Sequence, residues 1–308
     1  MLALWIILGI LGGLLLIFFV VLFLINYSNF YSPIKGQNND HNLTAATLRF
    51  TTTERVYSLI DGLLSVSYED VWTTSFDKKK LHARLYKNDS KVVCIMMHGY
   101  RGTAIRDFSG GAKLMIDSGY NVILIDERGH GQSEGHQITF GVKEKRDAKS
   151  WIDFAYKTFG NNIKIVLIGI SMGAASALLA SDNLKEGDLV IADCPYLTTK
   201  SIICNVLKMR KLNPKLVFPI VNLGSLIFGH ANLAKEDAYP HVKNSKAKFL
   251  IIHGDIDSLV PYTFSKVLAD AFPDKVIYEL FKGAEHGISY IVDEDRYKKI
   301  VTDFINNN

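Results

Sequence analysis

Residues 164–175 read KIVLIGISMGAA: a run of branched apolar residues, a serine held between two glycines, then small residues. A continuous apolar run is the pattern of a strand buried on both faces, and the small residues after it suit the start of a helix. A serine at such a strand-to-helix turn projects its hydroxyl from the sheet. The turn strains its backbone, so the residues two before and two after must be small, here Gly169 and Gly173. The helix beginning at Met172 points free N–H groups at the same place. A serine hydroxyl is a poor nucleophile unless a base takes its proton. The stretch therefore reads as a nucleophile elbow centred on Ser171, in preference to a glycine-flanked turn without chemistry.

Working outward, KVVCIMMHG, NVILID, LVIAD and KFLIIHG repeat the buried-strand pattern, and VIYELF adds a last strand. Helical periodicity separates them near residues 105–117, 142–158, from 172 onward, 261–271 (with Pro261 at the first turn) and 290–306. VWTTSF and LHARLY flank DKKK as two antiparallel strands at one edge. Strands alternating with helices predict an α/β fold, a mostly parallel, doubly wound sheet with helices on both faces. Residues 197–247 break the rhythm. They are helical in pattern, contain Pro214, Pro219 and Pro240, and read as an insertion.

A serine nucleophile in this arrangement is followed in the chain by its acid and then its histidine. Of nine histidines, only His286, in GAEHG after the last strand, follows every plausible acid. His41 falls in a polar tether and His82 in an edge strand. His98, His130 and His253 lie in His-Gly turns that brace loops, and His136, His230 and His241 fall in loop or insertion segments. HGDIDSLVP offers Asp255 and Asp257 at the end of its strand. Asp257 is preferred, because the turn from His253-Gly254 lies behind it and Pro261 starts the next helix. Asp255, Asp257 and His253 have metal-ligand side chains but no further metal signature, so no metal is expected.

The chain has 308 residues, 48% of them apolar. Residues 2–25 carry no charge, and a helix of that length reaches about 36 Å, enough to cross a hydrocarbon core of about 30 Å. Residues 1–26 read as a single-pass transmembrane anchor rather than a cleaved signal peptide, which would have a basic start and a small-residue cleavage site. Residues 27–67 read as a polar tether with Pro33 and Gly36, and a possible helix over 43–64. Residues 68–308 form the main domain. Cys94, Cys194 and Cys204 are too scattered for a disulfide framework. Net charge is +4, but residues 197–248 hold nine Lys or Arg against Glu236 and Asp237. That imbalance suits anionic lipid beside the insertion, and a solvated helical surface is the plainer reading.

These motifs, in this order, resemble the α/β-hydrolase superfamily from about Tyr68 to the last residue. HGY at residues 98–100 resembles the turn whose residue after the glycine supplies one oxyanion N–H, which implies Tyr100, with Met172 supplying the other. DERGHGQS at 126–133 resembles the family's structural D-x-R-G-x-G-x-S loop. GISMG, HGDIDSLVP and GAEHG match its nucleophile, acid and base segments, and 197–247 matches its helical cap. Among members the chain is most similar to membrane-anchored bacterial hydrolases related to serine aminopeptidases and monoacylglycerol lipases. A serine at 171 departs from the dehalogenase and epoxide hydrolase branches, which use aspartate.

The expected activity is hydrolysis of a carboxylic ester, lipid-like or otherwise hydrophobic, through an acyl-enzyme. Amide and thioester substrates on the same triad are the alternatives, and a non-catalytic binding protein on the same fold comes after them. No cofactor and no nucleic-acid partner are expected. The near-match to G-x-G-x-x-G at 129–134 carries Glu134 where the third glycine belongs, facing a pyrophosphate.

Overall fold

The structure is a computed structural model that describes residues 1–32, 40–43 and 47–308. The expected tether at Pro33 and Gly36 lies outside the described residues. Helix α1 (Leu2–Phe30) and α2 (Thr53–Leu64) precede strands β1 (Glu69–Thr74), β2 (Lys80–Tyr86) and β3 (Val92–Met97). Then come α3 (Ala104–Asp117), β4 (Asn121–Ile125), α4 (Glu144–Phe159), β5 (Lys164–Ile170), α5 (Met172–Ala180) and β6 (Leu189–Asp193). The insertion contains α6 (Thr199–Met209), α7 (Pro214–Gly224), a π turn (Ser225–Gly229) and α8 (Ala238–Asn244). The chain closes with β7 (Lys248–Gly254), α9 (Thr263–Ala271), β8 (Val276–Phe281), α10 (Ser289–Val292) and α11 (Glu294–Asn307).

The eight strands form one sheet in the order β1-β2-β4-β3-β5-β6-β7-β8. β1–β2 and β2–β4 are antiparallel, and every later pair is parallel. β3, β5 and β6 are buried almost throughout, which explains their uninterrupted apolar sequence. One core on one face of the sheet gathers Trp151, Leu167, Leu178 and Phe249, and another gathers Ile60, Met96, Phe108 and Phe281. This is the α/β-hydrolase fold that the motif order implied.

Four local expectations are corrected. β2 is flanked by β1 and β4, so His82 is not on an edge. Its ring is buried, with Nε2 2.7 Å from Asp70 Oδ1 and Nδ1 2.8 Å from Asp126 Oδ2. Burial works against its charge, but hydrogen bonds to Asp126 and Asp70 outweigh burial and raise its pKa. The ring thus pins the loop at 126–133 to the sheet. The last helix is two, broken at Asp293, whose extended φ of −145° interrupts the helical path. The helix expected from Pro261 begins at Thr263.

The fourth correction concerns α1, which does not stop at residue 26. It continues to Phe30, and Leu22, Asn26 and Phe30, spaced four apart, are buried along one face. Phe30 joins a third core, that of the insertion, with Ile202, Ile203, Phe218 and Val221. Burying a phenylalanine is worth about 1.5–3 kcal/mol, enough to dock a segment whose polar letters, NYSNFY, suggest a free linker. Beyond the helix, Ser32 N donates to His136 O (2.8 Å) and Ile138 N to Phe30 O (2.7 Å).

Candidate active site

The turn between β5 and α5 holds Ser171 at φ 55° and ψ −111°, a strained conformation for a side-chain-bearing residue. The two glycines permit it. A Cβ on Gly169 would lie 2.3 Å from the Gly173 carbonyl carbon, and one on Gly173 would lie 1.9 Å from Met97 O. No side chain fits either place, because α5 must cross directly over β3 and β5 to start at the serine. Ser171 N donates to Asp193 O (2.9 Å), which fixes the turn against the end of β6.

Three loops at the carboxyl ends of β5, β7 and β8 meet here. His286 Nε2 lies 2.7 Å from Ser171 Oγ, and its Nδ1 lies 2.8 Å from Asp257 Oδ2. The other oxygen of Asp257 accepts from Leu259 N (3.0 Å) and Val260 N (2.8 Å). His253 Nε2 lies 2.8 Å from Val260 O and 3.3 Å from Asp257 Oδ2, so it braces the acid from behind. Burial alone would raise the Asp257 carboxyl, yet hydrogen bonds to His253 and His286 outweigh it and hold its pKa at about 2. Asp255, the other candidate, accepts from Gly283 N (2.6 Å) and ties the β7 loop to the β8 loop without reaching His286.

The turn after β3 lies against the nucleophile: a Cβ on Gly99 would lie 3.6 Å from Ser171 Cβ. Gly99 N donates to Asp107 Oδ2 (3.0 Å), and Gly102 N closes the turn on Gly99 O (3.0 Å). Tyr100 follows Gly99 in that turn, and Met172 is the first residue of α5, where helix geometry leaves amides without intrahelical acceptors. The phenol of Tyr100 reaches the last turn of α1, donating to Asn29 O at 2.6 Å. Beside it, Arg101 donates to Ser28 O at 2.7 Å.

A family model described as serine aminopeptidase S33 matches residues 88–223. The uncharacterised protein YqkD of Bacillus subtilis is 26% identical over 235 residues, 75% of this chain and 76% of that one. The solved esterase Pf2001 of Pyrococcus furiosus superposes with a TM-score of 0.64 at 26% identity, over 80% of this chain and 92% of its own. The chain has the α/β-hydrolase fold and is similar to members of that superfamily. The thiohydrolase aneE of Aspergillus aculeatus is 27% identical over 135 residues, 42% of either chain.

Two residues near the site were passed over in the reading of the sequence. Asp193 ends β6, fully buried, and accepts from Ser289 Oγ at 3.3 Å. Burial pushes its carboxyl up to about 6, against the pull of the His253 and His286 imidazoles. Cys194 follows at φ 48°, its Sγ 3.9 Å from His286 Nε2. The signal was present: a carboxylate and a thiol directly after a buried strand, level with the serine. Ligand atoms of Cys194, Asp257 and His286 lie within 4.8 Å of one another. Burial and the Asp193 and Asp257 charges push the thiol well above its ordinary range. Asp257 and His286 are already bonded to each other. The set suits proton transfer better than a metal.

A cavity of about 420 Å³ opens on Ser171 and His286. Its apolar wall comes from Val56, Phe108, Ile170, Ile288, Tyr290 and Ile291. α3 kinks at Phe108 (φ −117°, ψ 16°), and Gly110 just beyond lies so close to the Tyr290 ring that a Cβ would stand 2.3 Å from it. Among the described residues, none from 197–247 lines this cavity. The apolar clusters SIICNVL and IVNLGSLIF supply Ile202, Ile203, Leu207 and Val221 to the core of the insertion instead.

Proposed function

We propose that this hydrolase cleaves carboxylic esters with a hydrophobic acyl group through a covalent acyl-enzyme. One observation carries the reading: the hydrogen-bonded series Ser171–His286–Asp257 ends at a cavity with apolar walls. His286 Nε2 takes the Ser171 proton as Oγ forms a bond to the substrate carbonyl carbon. The carbonyl π electrons move to oxygen, and the amides of Tyr100 and Met172 receive that oxyanion, each worth about 10²–10³ in rate. The oxyanion collapses, the bond to the leaving oxygen breaks, and His286 returns its proton to that oxygen. Water, deprotonated by His286, then releases the acid. Asp257 holds Nδ1–H so that Nε2 is free to accept. Helix α1 holds the catalytic domain on a membrane, and a lipid-like ester suits that location.

The esterase Pf2001 supports the ester reading, whereas the serine aminopeptidase model and the thiohydrolase aneE point to amide and thioester chemistry. A panel of p-nitrophenyl esters of rising chain length, aryl thioesters and aminoacyl-anilides separates these. The expected result is the highest kcat/KM on a medium or long acyl ester, and an optimum on an anilide would overturn it.

The pH dependence adds a second test. A protonated His286 cannot accept the serine proton, so kcat/KM falls in acid. Asp257, with its pKa at about 2, stays charged across the working range. Any stability it adds is complete above the ordinary aspartate value of about 3.9 and is lost only as pH falls toward 2. Asp193, its carboxyl pushed by burial up to about 6, is a second group beside the site that gains a proton in mild acid. Asp193→Asn is expected to keep the acid limb in a pH–rate profile, and its disappearance would reassign that limb to Asp193.

A further inference from the structure

Helix α7 and its π turn are apolar on two opposite sides. Phe218 and Val221 face the core of the insertion, and Ser225 on the same side is buried. Leu216, Ile220, Leu223 and Ile227, at spacings of four, three and four, form the opposite stripe and are exposed, Leu216 by 69%. Leu226 beside them is also exposed. Such a stripe is costly in water.

The place of α1 says what covers it. Residues 2–21 of α1 are exposed all round, and twenty helical residues reach about 30 Å, the thickness of a hydrocarbon core. Leu22 is the first buried position, and there α1 meets α7: a Cβ on Gly224 would lie 3.1 Å from Leu22 O. Phe23 and Phe228 pack edge to face at 5.5 Å. The C-terminal end of α7 therefore sits where the crossing ends, and Leu223, Leu226 and Ile227 surround that junction. Lys208, Arg210, Lys211 and Lys215 crowd the other end of α7, suited to lipid phosphates.

We infer that the exposed stripe of α7 and its π turn is embedded in the bilayer, as a second membrane contact beside α1, with anionic headgroups against its basic end. This rests on α1 crossing a membrane, not on the hydrolytic reaction. The test uses the full chain with Cys204→Ser in nanodiscs of phosphatidylcholine and phosphatidylglycerol; Cys94 and Cys194 are buried. An environment-sensitive fluorophore is attached at Leu216→Cys, Leu223→Cys, Leu11→Cys or Glu186→Cys. Glu186 precedes β6, at the amino ends of the parallel strands, opposite the carboxyl ends that carry the site.

Lipids bearing a nitroxide near the ester carbonyl are expected to quench most of the emission at 216 and 223, with a blue shift. A nitroxide at the chain end should quench 11, and neither should quench 186. Quenching at 11 without quenching at 216 and 223 overturns the proposal. A blue shift there without lipid quenching means that protein, a second copy included, covers the stripe, and also overturns it. No quenching at 11 removes the membrane span and the inference together.

Discussion

Ser171→Ala is expected to lower kcat/KM on the preferred ester by about 10⁴-fold or more, with the thermal unfolding midpoint little changed. Oγ is the only atom removed. Its partner in the structure is His286 Nε2 at 2.7 Å, a contact that supports transfer of a proton rather than packing. The strained backbone at φ 55° is no harder for alanine than for serine, so the turn survives. The same variant should lose covalent labelling by a fluorophosphonate. Labelling that persists at full stoichiometry would place the nucleophile elsewhere, and undiminished turnover would end the acyl-enzyme reading.

Asp257→Asn is expected to cost about 10⁴-fold in kcat, with substrate affinity largely kept. An asparagine would still accept from Leu259 N and Val260 N with its oxygen, as Asp257 Oδ1 does now. Its NH₂ would then face His286 Nδ1 in place of the carboxylate oxygen at 2.8 Å. Nδ1 would become an acceptor, the proton would move to Nε2, and the imidazole could no longer take one from Ser171. Asp255→Asn is the control, because its contact is with Gly283 N. A kcat that falls for Asp255→Asn and not for Asp257→Asn would exchange their roles.

The site was legible because its chemistry lies in turns with few solutions. Ser171 needs small neighbours, and only His286 follows both candidate acids. The buried strands were equally plain, since β3, β5 and β6 are apolar without interruption. What stayed hidden depends on partners distant in sequence. Nothing in NYSNFY announces that Asn26 and Phe30 meet the insertion, because a polar segment and a docked helix end share the same letters. His82 alternates correctly for a strand, and only the pairing with β4 shows that β1 lies outside it. The cavity wall comes from α2, α3 and α10, whose apolar residues read locally as ordinary core. Asp193 escaped notice because burial, not spacing, gives it interest.

The contact between Asn29, Ser28 and the turn at Tyr100–Arg101 bears on how the protein is handled. Trimming residues 1–32 to obtain a tractable fragment would strip the carbonyls of Ser28, Asn29 and Tyr31 from the Tyr100 phenol and the Arg101 guanidinium, side chains of the residue whose amide is assigned to the oxyanion and of the residue after it. It would also take Phe30 from the core of the insertion. Rates measured on such a fragment would describe a catalyst with a slackened turn at Tyr100–Arg101, and preparations that keep residues 1–32, in detergent or lipid, are the proper standard for turnover.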